Sequence, residues 1–323
     1  MRALVTGCAG FIGSHLTEAL LQDGHHVLGV DCFNDNYARK NKLSALAHAL
    51  DWKEFEFVPI DLSRGDLDDL VAEVDVIFHL AAEPGVRASW GTRFDCYLRN
   101  NVLATQHLLE SARLCPDKRF VYASSSSVYG EAETMPTAED SLPQPFSPYG
   151  TTKLAAEHLC ALYHGNFGVN TVSLRYFSVY GPRQRPDMAF AIFCSAAIRG
   201  EEITVYGDGR QSRDFTYVGD VVDATLAAGV ADIPGGRVYN IGGGSRVSLA
   251  QAIDHIADFA GSPLDVRYTG AQRGDVRDTG ADTSRAERDL GYVARTVFAD
   301  GLREEFEWVR QREVPTAAST RPA

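Results

Sequence analysis

TGCAGFIGSHL, residues 6–16, sets Gly7, Gly10 and Gly13 three apart, directly after the apolar run ALVT. A glycine pattern alone carries little, but this one has a strand-like run before it and a helix-like run after it. Glycine is needed where a turn takes positive φ, where backbone approaches a pyrophosphate, and where a helix packs closely on a strand. The helix opening at Phe11 and Ile12 then offers free N–H groups and a partial positive charge to phosphates. The next apolar run, HVLGVD, ends in Asp31, 18 positions past Gly13. A carboxylate there accepts from a ribose 2′-hydroxyl and repels a 2′-phosphate. The stretch predicts a dinucleotide site that prefers NAD to NADP. Asp61 and Leu62, after the third apolar run, are expected at the adenine.

Outward from this loop, six apolar runs alternate with amphipathic stretches: ALVTG, HVLGVD, FEFVPID, VDVIFHLAA, RFVYASS and NTVSLRY. Near-continuous apolar strands separated by helices predict an α/β fold, a doubly wound parallel (Rossmann) sheet covered on both faces. After Phe177 the chain changes to Gly/Pro punctuation, shorter strand candidates such as ITVY, and a helix candidate at SLAQAIDHIADFAG. The expected division is a nucleotide domain over 1–177, rejoined by 214–244, a smaller α/β substrate domain over 178–313, and a disordered tail over 314–323.

The 323 residues carry a net charge of −12, with 45% hydrophobic and 23% charged side chains. That balance argues against nucleic acid or an anionic membrane as partner, while leaving room for an anionic small substrate held by a few arginines. The six cysteines are scattered without a C-x-x-C, so neither a disulfide framework nor a metal site is expected, and a reducing cytoplasm fits. MRALVTGCAGFIG has no apolar run suited to a secretory leader, and no window approaches a membrane span.

The chemistry is expected further along. Run RFVYASS leads into Ser124, Ser125, Ser126 and Ser127, poor strand formers at the end of a strand that should face the ligand crevice. Tyr149 follows Pro148 at a helix start, and Lys153, one of five lysines in the chain, stands one turn later on the same face. A tyrosine acting as base at neutral pH needs its pKa lowered by about three units, roughly 4 kcal/mol. One ammonium at about 4 Å supplies that much at an effective dielectric of 20.

Together T-G-x-x-G-x-x-G, HLAA, NNVLAT, ASSSSVYG, Y-x-x-x-K and RYFSVYGP resemble the extended short-chain dehydrogenase/reductases, and among them the NAD-dependent epimerase/dehydratase family acting on nucleotide sugars. The resemblance implies NAD as cofactor and a homodimer paired through helices near 101–113 and 149–163. It implies Tyr149 as base, Lys153 as its activator, and Ser125 or Ser126, with Ser126 preferred, as the hydroxyl holding the reacting 4-hydroxyl. Leu80, Ala81, Ala82, Asn101, Ser124 and Tyr176 would line the cofactor. Ser127, Ser178, Val205, Arg87, Arg185, Arg213, Arg273 and Asp275 would hold a UDP-sugar, with Arg185 near a sugar carboxylate. Ser178 replaces the usual asparagine, a departure that resembles UDP-glucuronate 4-epimerases.

A 4-keto sugar is the implied intermediate, and UDP-glucuronate 4-epimerase is the preferred reading. A UDP-glucuronate decarboxylase giving UDP-xylose or its 4-keto form comes next. Ser127, standing where such enzymes usually carry glutamate, speaks against it, whereas Glu83 in AAEPG, unusual for epimerases, keeps it open. A UDP-glucose 4-epimerase and a non-catalytic NAD sensor are the remaining readings. The sensor is disfavoured by the Tyr149/Lys153 pair and the distal arginines.

Overall fold

The computed structural model describes residues 1–272 and 274–313. The six apolar runs form strands β1 (Arg2–Thr6), β2 (His26–Val30), β3 (Phe55–Val58), β4 (Val76–His79), β5 (Arg119–Ser125) and β6 (Asn170–Tyr176). A seventh strand, Arg237–Ile241, adds to β6. The order across the sheet is Arg237–Ile241, β6, β5, β4, β1, β2, β3, with every pair parallel. Chain order reverses between β1 and β4, and this reversal opens a crevice at the carboxyl ends of the strands.

Successive strand residues point to opposite faces, and both faces are covered. Leu4, Ile77, Phe120 and Tyr122 pack beneath the helices Ala104–Ala112 and Pro148–Phe167. Val5, Phe78, Val121 and Leu174 pack against α1 (Phe11–Gln22) and the helix Val218–Val230. This double burial is why the runs read as continuous rather than alternating.

A second core joins helices Ala189–Arg199, Leu249–Ala260 and Phe298–Glu313 to the paired strands Ile203–Tyr206 and Val266–Thr269. Phe190 and Phe215, with ring centroids 4.6 Å apart, anchor it. Ser248 and Gln251 form a reciprocal capping box at the start of Leu249–Ala260. The stretch 178–313 is less uniform than its composition suggests. Helix Ser284–Leu290 lies on strand Arg237–Ile241, and Ala286 and Tyr292 pack into the core of the large sheet. The expected tail, 314–323, lies outside the described residues.

Among the described residues, no helix is long and apolar enough to cross a membrane, and no group of three His, Cys, Asp or Glu is placed to hold a metal ion.

A buried carboxyl group helps to fasten the last helix to the chain leaving the sheet, beside a hydrogen bond from Tyr180 to the Phe298 carbonyl. Glu305 accepts the Gly181 N–H at 2.7 Å, and burial pushes its pKa up from 4.5 to about 8. A carboxyl raised in the folded state gives stability that is full below about pH 4.5 and is lost as pH rises through about 8. Glu305→Gln keeps an acceptor for Gly181 and removes the titration. Thermal melts should show wild-type stability falling relative to this variant by about 1–3 kcal/mol between pH 5 and 8.5. Parallel pH profiles would overturn this account of the contact.

Candidate active site

At the end of β1 the chain turns through Gly7 at φ +71°, and the Gly7 N–H donates to Val30 on β2 at 2.8 Å. A Cβ on Gly7 would lie 2.9 Å from the Ala81 backbone, and one on Gly13 only 2.1 Å from the Gly7 carbonyl oxygen. Neither position accepts a side chain. Gly10 precedes α1 and gives its first turn no side-chain cap, so the N–H groups of that turn point into the crevice for an anion. This cradle of bare backbone and free N–H groups fits the diphosphate of a dinucleotide.

The crevice is lined by Gly7, Gly10, Phe11, Ile12, Gly13, Asp31, Asp61, Leu62, Leu80, Ala81, Ala82, Ser124, Tyr149, Lys153, Tyr176 and Arg185, so the structure brings these expected residues together. Thr6 Oγ1 accepts the N–H groups of Leu80 and Ala81, both at 3.1 Å, and fixes that wall to the end of β1. Asp31 Oδ1 accepts the Phe33 N–H at 2.7 Å, and Asp61 Oδ1 accepts from Ser63 N and Oγ at 3.0 and 2.7 Å.

Tyr149 is the second residue of Pro148–Phe167, a helix started by Ser147, whose side chain accepts from Gly150 N. Burial raises the phenol's pKa, and the Ser125 hydroxyl and the Arg185 charge oppose that rise. Of the two candidate serines, Ser125 is the one whose hydroxyl lowers the phenol's pKa. The reason is the chain's turn: β5 ends at Ser125, and Ser126 starts a short 3-10 helix instead of continuing the strand. Ser124 lines the crevice, and its hydroxyl donates to the buried Glu157 carboxylate at 2.6 Å. Glu157 in turn receives Arg175 through Nη2 at 2.6 Å and Nε at 3.0 Å. Lys153 Nζ donates to the Ala123 carbonyl at 2.6 Å and lies 4.9 Å from the centre of the Tyr122 ring. Burial lowers its pKa to about 8.

Arg185 is carried by the segment after β6, which docks on α1. Pro182 O meets His15 Nε2 at 2.8 Å, and Arg183, at φ +66°, donates to Glu18 at 2.6 Å and to Ser14 at 3.2 Å. Left-handed backbone at a non-glycine residue costs about 1–2 kcal/mol, and the Glu18 and Ser14 contacts hold Arg183 in it. Arg185 Nε and Nη2 donate to Asp187 at 3.0 and 2.9 Å, leaving the Nη1–Nη2 edge for a ligand.

Other expected residues stand elsewhere. Asn101 does not line the crevice: it accepts the Glu83 N–H at 2.6 Å and donates to Glu83 O and Thr152 Oγ1. Its neighbour Asn100 lines the wall instead, because the chain widens into a π-helical turn over Leu98–Leu103. Val205 is fully buried in the second core, so its side chain faces no ligand. Arg213 is not a free cation, since it donates to the carbonyls of Ser212, Val276 and Arg277 and braces that loop. Arg87 pairs with Asp275 at 2.6 Å and stacks 4.5 Å from the Tyr206 ring centre. Ser127 N donates to Ser125 Oγ, and Ser178 O accepts from Thr216 N. Arg273 lies outside the described residues.

The sequence reading missed Asn34, Tyr37 and Lys42, which also line the crevice. They lie in and beyond an irregular loop after β2, where neither period 2 nor period 3.6 applies.

The chain belongs to the NAD dependent epimerase/dehydratase family, whose sequence model matches residues 3–242. It is an NAD-dependent enzyme of that family, and the glycine cradle and Asp31 in the crevice fit such a cofactor. It is 42% identical to a solved UDP-glucuronic acid 4-epimerase from Bacillus cereus in complex with UDP-glucuronic acid and NAD, with a TM-score of 0.94, covering 97% of this chain and 100% of that one. It is 44% identical over 310 residues to a Bacillus subtilis protein named "Uncharacterized UDP-glucose epimerase YtcB", covering 96% of this chain and 98% of the relative. It is 36% identical over 313 residues to a UDP-glucuronate 4-epimerase from Thermodesulfobacterium geofontis, covering 95% and 96% respectively.

Gly13→Ala should weaken NAD binding by roughly tenfold or more, since overpacking against immovable backbone costs about 1–3 kcal/mol. NAD content of the purified variant, read by absorbance after deproteinisation, checks this. Wild-type content in a folded variant would show that the loop is not the cradle.

Proposed function

We propose that the chain is an NAD-dependent UDP-sugar epimerase that inverts C4 of UDP-glucuronate. The observation that carries the sugar assignment is Arg185: it lines the crevice close enough for its charge to act on the Tyr149 phenol. In a hexuronate the carboxylate is attached at C5, next to the reacting C4. A base for the 4-hydroxyl and a cation for the carboxylate must therefore be neighbours.

Tyr149 takes the C4 hydroxyl proton, and Ser125 orients that hydroxyl and favours the phenolate. NAD, which the glycine turn and Asp31 would hold, would supply the hydride acceptor for C4 and the hydride donor for the other face of the ketone. Lys153, with a pKa of about 8, is mostly charged at neutral pH and adds positive potential to the crevice. The 4-keto acid loses CO₂ when the C5–C6 bond aligns with the ketone π system. Arg185, holding the carboxylate near the sugar plane, opposes that alignment. Arg87, Asp275 and Ser178 are assigned to the UDP end, with Arg213 bracing the loop that carries Asp275. Glu83, which kept a decarboxylase open, has both carboxylate oxygens engaged, by Asn34 at 3.1 Å and Arg93 at 2.9 Å, and so is poorly suited to proton transfer. UDP-glucose is the second substrate reading, favoured by the relative named a UDP-glucose epimerase. Six free cysteines fit a reducing cytoplasm.

We also propose a homodimer. Leu98, Leu103, Leu162 and Phe167, on and beside the helices Ala104–Ala112 and Pro148–Phe167, are 44%, 42%, 53% and 49% exposed. Covering them with a second copy removes apolar surface from water. Light scattering should give about twice the chain mass of 35.2 kDa, and Leu162→Glu should shift it toward the monomer. A wild-type monomer at micromolar concentration would remove the claim.

Product analysis with UDP-glucuronate, following both the galacto-epimer and CO₂, tests the activity directly. A charged hydrogen bond contributes about 1.5–3 kcal/mol, so Arg185→Ala should lower kcat/KM for UDP-glucuronate roughly ten- to a hundredfold. UDP-glucose should lose little, and the fraction decarboxylated should rise. Equal losses for both sugars would reduce Arg185 to a supporting role and favour the UDP-glucose reading.

A further inference from the structure

Glu83 is a carboxylate the chemistry does not use, and it is 2% exposed. Its two oxygens accept from Asn34 Nδ2 at 3.1 Å and Arg93 Nη2 at 2.9 Å. Its backbone is held from the other side by Asn101, which both donates to its carbonyl and accepts its N–H. Asn34 is thereby oriented: with its amide nitrogen committed to Glu83, its Oδ1 faces Lys42 Nζ and accepts from it. Lys42, 4% exposed, lies 3.4 Å from Asp31 Oδ1. The chain of contacts runs Arg93–Glu83–Asn34–Lys42–Asp31. Its last three members line the cofactor crevice, and Glu83 does not.

We propose that Glu83 is a positioning residue that sets cofactor specificity through Asn34 and Lys42, keeping the ribose corner fit for NAD and hostile to NADP. Two physical effects support this. The first is orientation. Asp31 Oδ1 is occupied by the Phe33 N–H and by Lys42, which leaves Oδ2 for ribose hydroxyls. Without Glu83 the Asn34 amide has no fixed donor direction, and Lys42 loses its second acceptor.

The second effect is charge. Lys42 beside Asp31 cancels much of the carboxylate's repulsion of a 2′-phosphate. A lone Asp31–Lys42 pair would therefore discriminate poorly. The Glu83 carboxylate, equally buried, adds negative charge back to the corner, and Asp61, just beyond the neighbouring β3, adds more. Arg93 neutralises Glu83 only in part, because its side chain is 56% exposed and screened by water. In the dry interior the uncompensated charge acts more strongly than it would at the surface.

The inference rests on NAD as cofactor and is independent of which sugar is turned over. Holoprotein loaded with NADH and titrated with NAD⁺ or NADP⁺ reports displacement by loss of nucleotide fluorescence. In Glu83→Gln the NAD⁺ dissociation constant should rise about tenfold while that of NADP⁺ stays level or falls, narrowing discrimination by about tenfold. kcat at saturating NAD⁺ should fall less than the NAD⁺ affinity does. Asn34→Ala, which cuts the relay while leaving the Glu83–Arg93 pair, should weaken NAD⁺ in the same way, and it decides the matter if Glu83→Gln does not fold. Equal weakening of both cofactors in a folded variant, or no change in either, would overturn the proposal. So would a kcat loss exceeding the loss of affinity, since Glu83 would then act in the chemistry.

Discussion

At the carboxyl end of β1 there is no room for one more carbon atom. The Gly7 turn passes against the Ala81 backbone, and Gly13 packs on the Gly7 carbonyl. Nearly everything functional is arranged around that close approach. It lets α1 start directly at the strand end, aims the first turn of the helix into the crevice, and brings the wall 80–82 within reach of Thr6. The sheet reverses its order at the same place, so the bare-backbone turn and the topological opening coincide. A larger residue at Gly7 or Gly13 would push apart the elements that line the crevice.

The opposite end of the crevice depends on polar bracing. Ser124 and Ser125 end β5 and divide their work: Ser124 donates inward to Glu157, and Ser125 acts on the pKa of the Tyr149 phenol. Glu157 is held by a bidentate Arg175, itself bonded to Tyr129 and the Glu139 carbonyl. Removing either partner of such a buried pair leaves an uncompensated charge, typically costing about 3–5 kcal/mol. The end of β5 is thus braced by buried charge and hydrogen bonds, whereas the glycine turn is fixed by close backbone packing. Arg185 reaches the same space from a segment fastened to α1 by Arg183 and His15, so the cation assigned to the sugar carboxylate is positioned by the nucleotide helix.

Lys153 shows how spacing and contact differ. A four-residue helical interval places it on the Tyr149 face, but its ammonium donates to Ala123 and lies over the Tyr122 ring. The influences opposing the phenol's raised pKa come from Ser125 and Arg185. A lysine has four rotatable bonds and seeks acceptors, so its residue position does not settle where its charge acts.

By itself the sequence determined the architecture and half of the site. Six apolar runs became six parallel strands because a doubly covered strand shows its burial in every residue. Gly7, Gly10, Gly13 and Asp31 were legible because backbone geometry at a strand–turn–helix junction restricts residue type. Tyr149, Lys153 and Arg185 were legible from motif context, and all line the crevice. What tertiary structure alone decided were the side-chain partnerships across the chain: Asn101 clamping Glu83, Arg213 tied to loop carbonyls, and Lys42 brought to Asp31. These contacts join residues up to 64 positions apart, as between Arg213 and Arg277. No local periodicity encodes them, because a polar side chain's partner is set by which donors and acceptors remain unpaired once the backbone has packed.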